Sequence, residues 1–106
     1  MAYRIEWSPR AVEDLEEIAR YISFDSSAYS KAVIRKILEI TRKFSPFPLA
    51  GRVVPEFNDE NIREWFAYNY RIIYQIDNEV VTIAAIVHGK RLLHNQQKFT
   101  APEEAP

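Results

Sequence analysis

The sequence contains no cysteine, two glycines and two histidines among 106 residues. The missing cysteine removes disulfides, thiolate metal ligands and a thiol nucleophile, and makes the reducing cytoplasm the natural compartment to expect. So few glycines exclude a glycine-rich phosphate loop and a flexible linker. With only His88 and His94 as imidazoles, a zinc centre would have to recruit carboxylates, so neither a metal nor a cofactor is expected. No apolar run approaches the ~18 residues of a membrane span. Residues Met1 to Ser8 lack the basic-then-apolar pattern of a secretion signal.

What is present is an ordinary globular composition, 47% hydrophobic and 27% charged, with room for one domain. Patterning places that domain at 1–99 and a polar, flexible tail at 100–106. The net charge of -1 hides a segregation. Arg10 to Arg20 holds Glu13, Asp14, Glu16 and Glu17 against two arginines. Lys31 to Lys43 holds Lys31, Arg35, Lys36, Arg42 and Lys43 against Glu39 alone. These are either two solvated helix faces or a basic surface for an acidic partner or a phosphate backbone.

Tyr3 to Trp7 alternates apolar and polar residues, the mark of a half-buried strand. Ser8-Pro9 then opens a helix: serine caps, and proline fits the first turn, where its missing N–H would lack a partner anyway. Val12, Leu15, Ile18, Ala19 and Ile22 recur at helical spacing, to an end near Ser23. Asp25-Ser26-Ser27 starts a second helix whose buried stripe is Val33, Ile34, Ile37, Leu38, Thr41 and Phe44. It must stop before Pro46. Residues 46–61 read as an irregular connector. Three strands follow at Ile62–Ala67, Tyr70–Ile76 and Glu79–Val87, with tight turns at Tyr68-Asn69 and Asp77-Asn78. The expected architecture is α+β: an N-terminal strand and an antiparallel two-helix hairpin packed on a twisted antiparallel sheet with a three-stranded C-terminal meander.

Two-residue turns fix a register. Trp65 pairs with Ile72, Tyr74 with Val81, Ile72 with Ile83 and Arg71 with Ala84. One face then collects Trp65, Ile72, Tyr74, Ile76, Val81, Ile83, Ala85 and Val87, and belongs beneath the helices. The other collects Glu64, Phe66, Arg71, Ile73, Gln75, Thr82, Ala84, Ile86 and His88. An open sheet face is normally plainly polar. This one sets an arginine among Phe66, Ile73, Ala84 and Ile86, so something should cover it: the segment Leu92 to Phe99, or a partner.

Glu56, Arg71, His88 and Arg91 are the residues from which a site could be built. A carboxylate, a guanidinium and an imidazole held together could cleave RNA without a metal. The carboxylate or imidazole would deprotonate the ribose 2′-OH, and the arginine would hold the phosphate. The structural alternatives are an arginine paired across the sheet, a histidine ending a strand and a solvated loop carboxylate. No Ser-centred nucleophile elbow, phosphate loop or base-stacking platform is apparent.

Tyr70-Arg-Ile-Ile-Tyr74, Asp77-Asn78 and Val81-Thr-Ile-Ala-Ala-Ile-Val-His88-Gly-Lys-Arg91 resemble the C-terminal half of the RelE/ParE toxin superfamily. Ile5-Glu-Trp-Ser-Pro-Arg-Ala-Val-Glu-Asp-Leu15 resembles its first strand and helix. Pro48-Leu-Ala-Gly51-Arg-Val-Val-Pro55-Glu56, then Ile62-Arg63-Glu64, resembles its connector. The resemblance spans roughly residues 3–93. It implies the growth-inhibiting toxin of a type II toxin–antitoxin pair, of the kind linked to plasmid stabilisation, in a hetero-oligomer with a cognate antitoxin. The ending His88-Gly-Lys-Arg91 is similar to the ParE branch, which inhibits DNA gyrase. Glu56 and Arg71 match the carboxylate and arginine of the YoeB-like ribonucleases, whose branch cuts mRNA on the ribosome. That group's His–Tyr ending is replaced by Gly89-Lys90, and the near-balanced charge also weighs against a ribosomal target. A third alternative is a non-toxic antitoxin-binding module. Lys31, Arg35, Lys36, Arg42, Phe66, Arg71, Ile73 and Ile86 are the expected antitoxin contacts, in a groove between the helix hairpin and the sheet edge.

Overall fold

The computed structural model describes residues 2–89. Arg91, His94, the segment Leu92 to Phe99 and the tail at 100–106 lie outside the described residues. The elements run β1 (Arg4–Trp7), α1 (Pro9–Ser23), α2 (Ser27–Lys43), β2 (Arg52–Val53), β3 (Ile62–Ala67), β4 (Tyr70–Asp77) and β5 (Val80–His88). Among the described residues no helix is long and apolar enough to cross a membrane.

Both helices begin where cap chemistry places them. The Ser8 hydroxyl accepts from the Ala11 amide at 3.0 Å, with Pro9 behind it, and the Ser26 hydroxyl accepts from the Tyr29 amide at 3.0 Å. On α2 the buried stripe is Val33, Ile37, Ile40 and Phe44, while Ile34 and Leu38 are half-buried. The hairpin covers one face of the sheet. That core holds Ile18, Ile22, Val33, Ile37, Ile72, Tyr74, Val81 and Ile83, with the Phe44 ring stacked on Tyr74 at 4.0 Å between centroids.

The sheet has five strands in the order β1-β5-β4-β3-β2. It is mixed, because β1 pairs parallel with β5. The outermost strand beyond β3, β2, lies in the stretch expected to be irregular. It is two residues long and pairs Arg52 with Glu64 and Val53 with Arg63, too short to leave a periodic trace.

The β3–β4 turn has the expected register, with Trp65 opposite Ile72 and Phe66 opposite Arg71. The β4–β5 hairpin does not. Its loop residues are Asn78 and Glu79, both left-handed at φ 50° and 64°, so Asp77 pairs with Val80 and Tyr74 with Ile83. The pairing moves by two residues, which leaves every side chain on its expected face. A β-bulge then adds Ala84 to β5: Ile73 pairs with Ala85, Ile72 with Ile86, Arg71 with Val87 and Tyr70 with His88. One extra residue reverses the alternation. Beyond the bulge, Ile86 joins the helix-side core while Ala85 and Val87 join the opposite face, contrary to expectation.

The bulge is paired from outside the ladder. β1 stops at Trp7, opposite Ile83, so the outer edge of β5 needs other partners from there on. The Ser8 hydroxyl donates to the Ala84 carbonyl at 2.9 Å, and Asp14 accepts from the Ile86 amide at 2.9 Å. A helix cap and a helical carboxylate thus satisfy backbone groups that no strand reaches.

The far face of the sheet is not open. Val54, Phe57 and Ile62, from the connector and the start of β3, pack over Ile73, Ala84, Ala85 and Val87. The expected exposed apolar surface is therefore covered within the described chain except at Phe66. Ile73 and Ile86 are buried, the first under the connector and the second under the helices.

Candidate functional site

The connector is held by a tyrosine. The Tyr74 hydroxyl donates to the Pro48 carbonyl at 2.7 Å and accepts from the Gly51 amide at 2.9 Å. Arg63 adds a hydrogen bond to the Gly51 carbonyl at 2.9 Å. From there β2 runs beside β3, and the chain turns back at Val54, whose carbonyl accepts from the amides of Phe57 and Asn58. That turn carries Glu56 over Arg71.

Arg71 is 4% exposed and Glu64 1%. The guanidinium is divided between two carboxylates. Its Nη1 and Nη2 donate to the two oxygens of Glu56, each at 2.9 Å, and its Nε donates to Glu64 at 2.6 Å. The second Glu64 oxygen accepts from Arg52 at 2.7 Å, and the Arg52 guanidinium lies 5.3 Å from the centre of the Phe66 ring. Among the described residues these two cations and two anions form one connected network. The bond to Glu56 holds the Arg71 pKa above its ordinary value against the opposing effect of burial, and Glu64 adds to the rise. A cavity of about 430 Å³ opens beside the network, lined by Arg52, Pro55, Glu56, Phe66, Arg71 and Gly89.

Of the candidate catalytic residues, the structure brings Glu56 and Arg71 together and sends His88 elsewhere. The bulge at Ala84 pairs His88 with Tyr70, their rings 6.1 Å apart edge to face. Tyr70 packs toward the helix-side core, whereas Arg71 points to the other face. The expected sharing of a face by Arg71 and His88 is thus overturned by one inserted residue. Glu64 and Arg52 went unrecognised as members of the network. Glu64 could have been found from its place beside Arg71 on the expected face. Arg52 was hidden because a two-residue strand has no pattern.

Lys31, Arg35 and Arg42 line a groove of about 390 Å³ with Ala19, Ser30, Ile34 and Leu38. Its walls come from α1 and α2 alone, so this groove runs along the helix hairpin. Lys36 is outside it and pairs with Glu39 at 3.6 Å. Phe66 remains half-exposed.

Tyr74 also makes a pH prediction. Burial raises its pKa above 10.0, only partly offset by the Gly51 amide and by Arg63. The unfolded chain therefore loses this proton first, and the stabilisation, complete below pH ~10, is lost as pH rises through the folded-state value. Replacing Tyr74→Phe should cost about 1–2 kcal/mol at neutral pH, for two lost hydrogen bonds. It should also flatten the alkaline fall in stability, read by urea unfolding at pH 8 to 11. An unchanged alkaline slope would show that Tyr74 does not govern it.

An N-terminal strand and two helices on a mixed five-stranded sheet form an α+β arrangement like that of RelE/ParE toxins. The chromosomal ParDE system of P. aeruginosa contains a chain that superimposes with a TM-score of 0.68 at 14% identity, over 82% of this chain and 96% of that one. The RelBE2 toxin–antitoxin complex of Mycobacterium tuberculosis gives 0.60 at 19% identity, over 83% and 92%. A free-state mutant of the E. coli toxin RelE gives 0.60 at 17% identity, over 85% and 86%. No curated protein matches the sequence. Residues 5–93 match the model of the ParE toxin of the type II toxin–antitoxin system parDE, and the chain belongs to that family.

Proposed function

We propose that this toxin acts in the ParE manner, inhibiting DNA gyrase by binding and not by cleaving nucleic acid, and that a cognate antitoxin neutralises it. The observation that carries this reading is the bidentate pairing of the would-be catalytic groups with each other. Both Glu56 oxygens accept from Arg71, so a general base and a phosphate clamp would each have to give up the other before either could act. His88 sits on the opposite face from this pair. The net charge of -1 offers little attraction to a ribosomal surface.

Purified protein added to a gyrase supercoiling reaction is expected to abolish supercoiling, while mRNA in a translating extract stays intact by primer extension. Codon-phased cuts would replace this reading with a ribosome-dependent endonuclease built on Glu56 and Arg71, which do line one cavity. If neither effect occurs and expression is harmless, the chain is an antitoxin-binding module without toxicity.

For the antitoxin, the groove on the hairpin fits an acidic amphipathic segment. Its floor is apolar and its rim carries Lys31, Arg35 and Arg42. Reversing Arg35 and Lys36 to glutamate should weaken the complex and reduce its sensitivity to salt, by titration calorimetry at two ionic strengths. Unchanged affinity at both would move the contact elsewhere.

A further inference from the structure

We propose that, without an antitoxin, the outward face of the helix hairpin pairs with the same face of a second copy of this chain about a two-fold axis parallel to the helices. Ala19, Ile34 and Leu38 form the apolar crease between α1 and α2. On the α1 side stand Glu13, Glu16 and Glu17, and on the α2 side Lys31, Arg35 and Arg42, all exposed. None of these six makes an ion pair with another described residue. Arg20 on α1 and Glu39 on α2 are exposed as well, but the α1 row stays net acidic and the α2 row net basic, so two rows of opposite net charge face solvent across the crease.

The heights of the charges give the pairing its register. The Ser30 hydroxyl donates to the Ala19 carbonyl at 2.8 Å, which puts those two residues level on antiparallel helices. Counting along each helix from there, Glu16 and Glu17 stand at heights between Lys31 and Arg35, and Glu13 stands just beyond Arg35. A two-fold axis parallel to the helices keeps each residue's height and exchanges left for right. It lays the acidic helix of one copy over the basic helix of the other, twice, with the two apolar creases in contact. A two-fold axis at right angles to the helices would set acid on acid and base on base. The charge pattern thus selects one symmetric arrangement, and self-complementarity of this kind is what a closed dimer needs. Helices of 15 and 17 residues give a face about 25 Å long and two helix diameters wide. That is the small, weak class of interface, near ~1,000 Å² in total. The dimer therefore forms at micromolar concentrations and yields to an antitoxin that competes for the same surface.

The test is sedimentation equilibrium of the full chain without antitoxin. The expected result is a monomer–dimer equilibrium with a dissociation constant on the order of 10–100 μM at low salt, weakened at least ~10-fold by 0.5 M salt. Glu16→Lys and Arg35→Glu should each weaken it at least ~10-fold, and the double variant should restore it to within ~3-fold, because the reversed charges meet again across the axis. Both positions are exposed, so each variant keeps its fold, checked by circular dichroism. A chain that stays monomeric to ~500 μM overturns the proposal, as does a dimer indifferent to both reversals or unrestored by the double change. A monomer that instead binds a synthetic acidic amphipathic helix overturns it in favour of a groove reserved for a different protein. The result does not depend on whether gyrase or the ribosome is the target.

Discussion

Replacing Arg71 with methionine is expected to destabilise the protein by about 3–5 kcal/mol, the range for removing one partner from a buried ionic cluster. The side chain is 4% exposed and supplies three of the hydrogen bonds that hold the cluster. Without it Glu64, fully enclosed, keeps the bond from Arg52, and Glu56 loses the two bonds from the guanidinium. Equilibrium unfolding in urea measures the loss. The triple variant Arg71→Met, Glu56→Gln, Glu64→Gln should recover much of it, because the penalty comes from charged carboxylates deprived of the buried guanidinium that offset their desolvation. If the single variant is as stable as the parent, the cluster is not the structural element described above and both carboxylates must reach solvent.

The second large effect is expected at Gly51. An added Cβ would lie 2.5 Å from the Glu64 carbonyl oxygen and 2.8 Å from the Tyr74 hydroxyl. The first obstacle is strand backbone, and the second is pinned by its own two hydrogen bonds. Gly51→Ala should therefore push β2 away from β3, at a cost of about 2–3 kcal/mol. In a domain of this size that lowers the melting temperature by roughly 10–20 °C. Adding Tyr74→Phe should not rescue it, since the carbonyl remains in place. A rescue would show that the hydroxyl was the true obstacle.

These two residues explain how the connector shapes the site. Gly51 lets β2 approach β3 closely, Tyr74 holds the approach, and the turn after Val54 then presents Glu56 to Arg71. The site is thus assembled by a segment with almost no regular structure, lying across a sheet face that the strands leave half-apolar. For a binding toxin the useful products of this arrangement are rigidity and a firm outer surface. For a nuclease the same contacts would have to open first.

The local chemistry of the chain was enough to place both helices, the three long strands and the β3–β4 register. Caps at Ser8 and Ser26, prolines at 9 and 46, and alternation from Ile62 onward act over a few residues and need no tertiary partner. The likeness to RelE/ParE toxins was also readable, because the strand motifs occur in the right order. Three things were decided only in three dimensions. The parallel pairing of β1 with β5 joins residues more than seventy positions apart. The bulge at Ala84 is stabilised by Ser8 and Asp14 from the first helix, and it alone moves His88 away from Arg71. The closure of Glu56 and Glu64 on one guanidinium depends on a two-residue strand. Each rests on a backbone or charge contact with a distant segment, and periodicity records only which way a side chain points, not what comes to meet it.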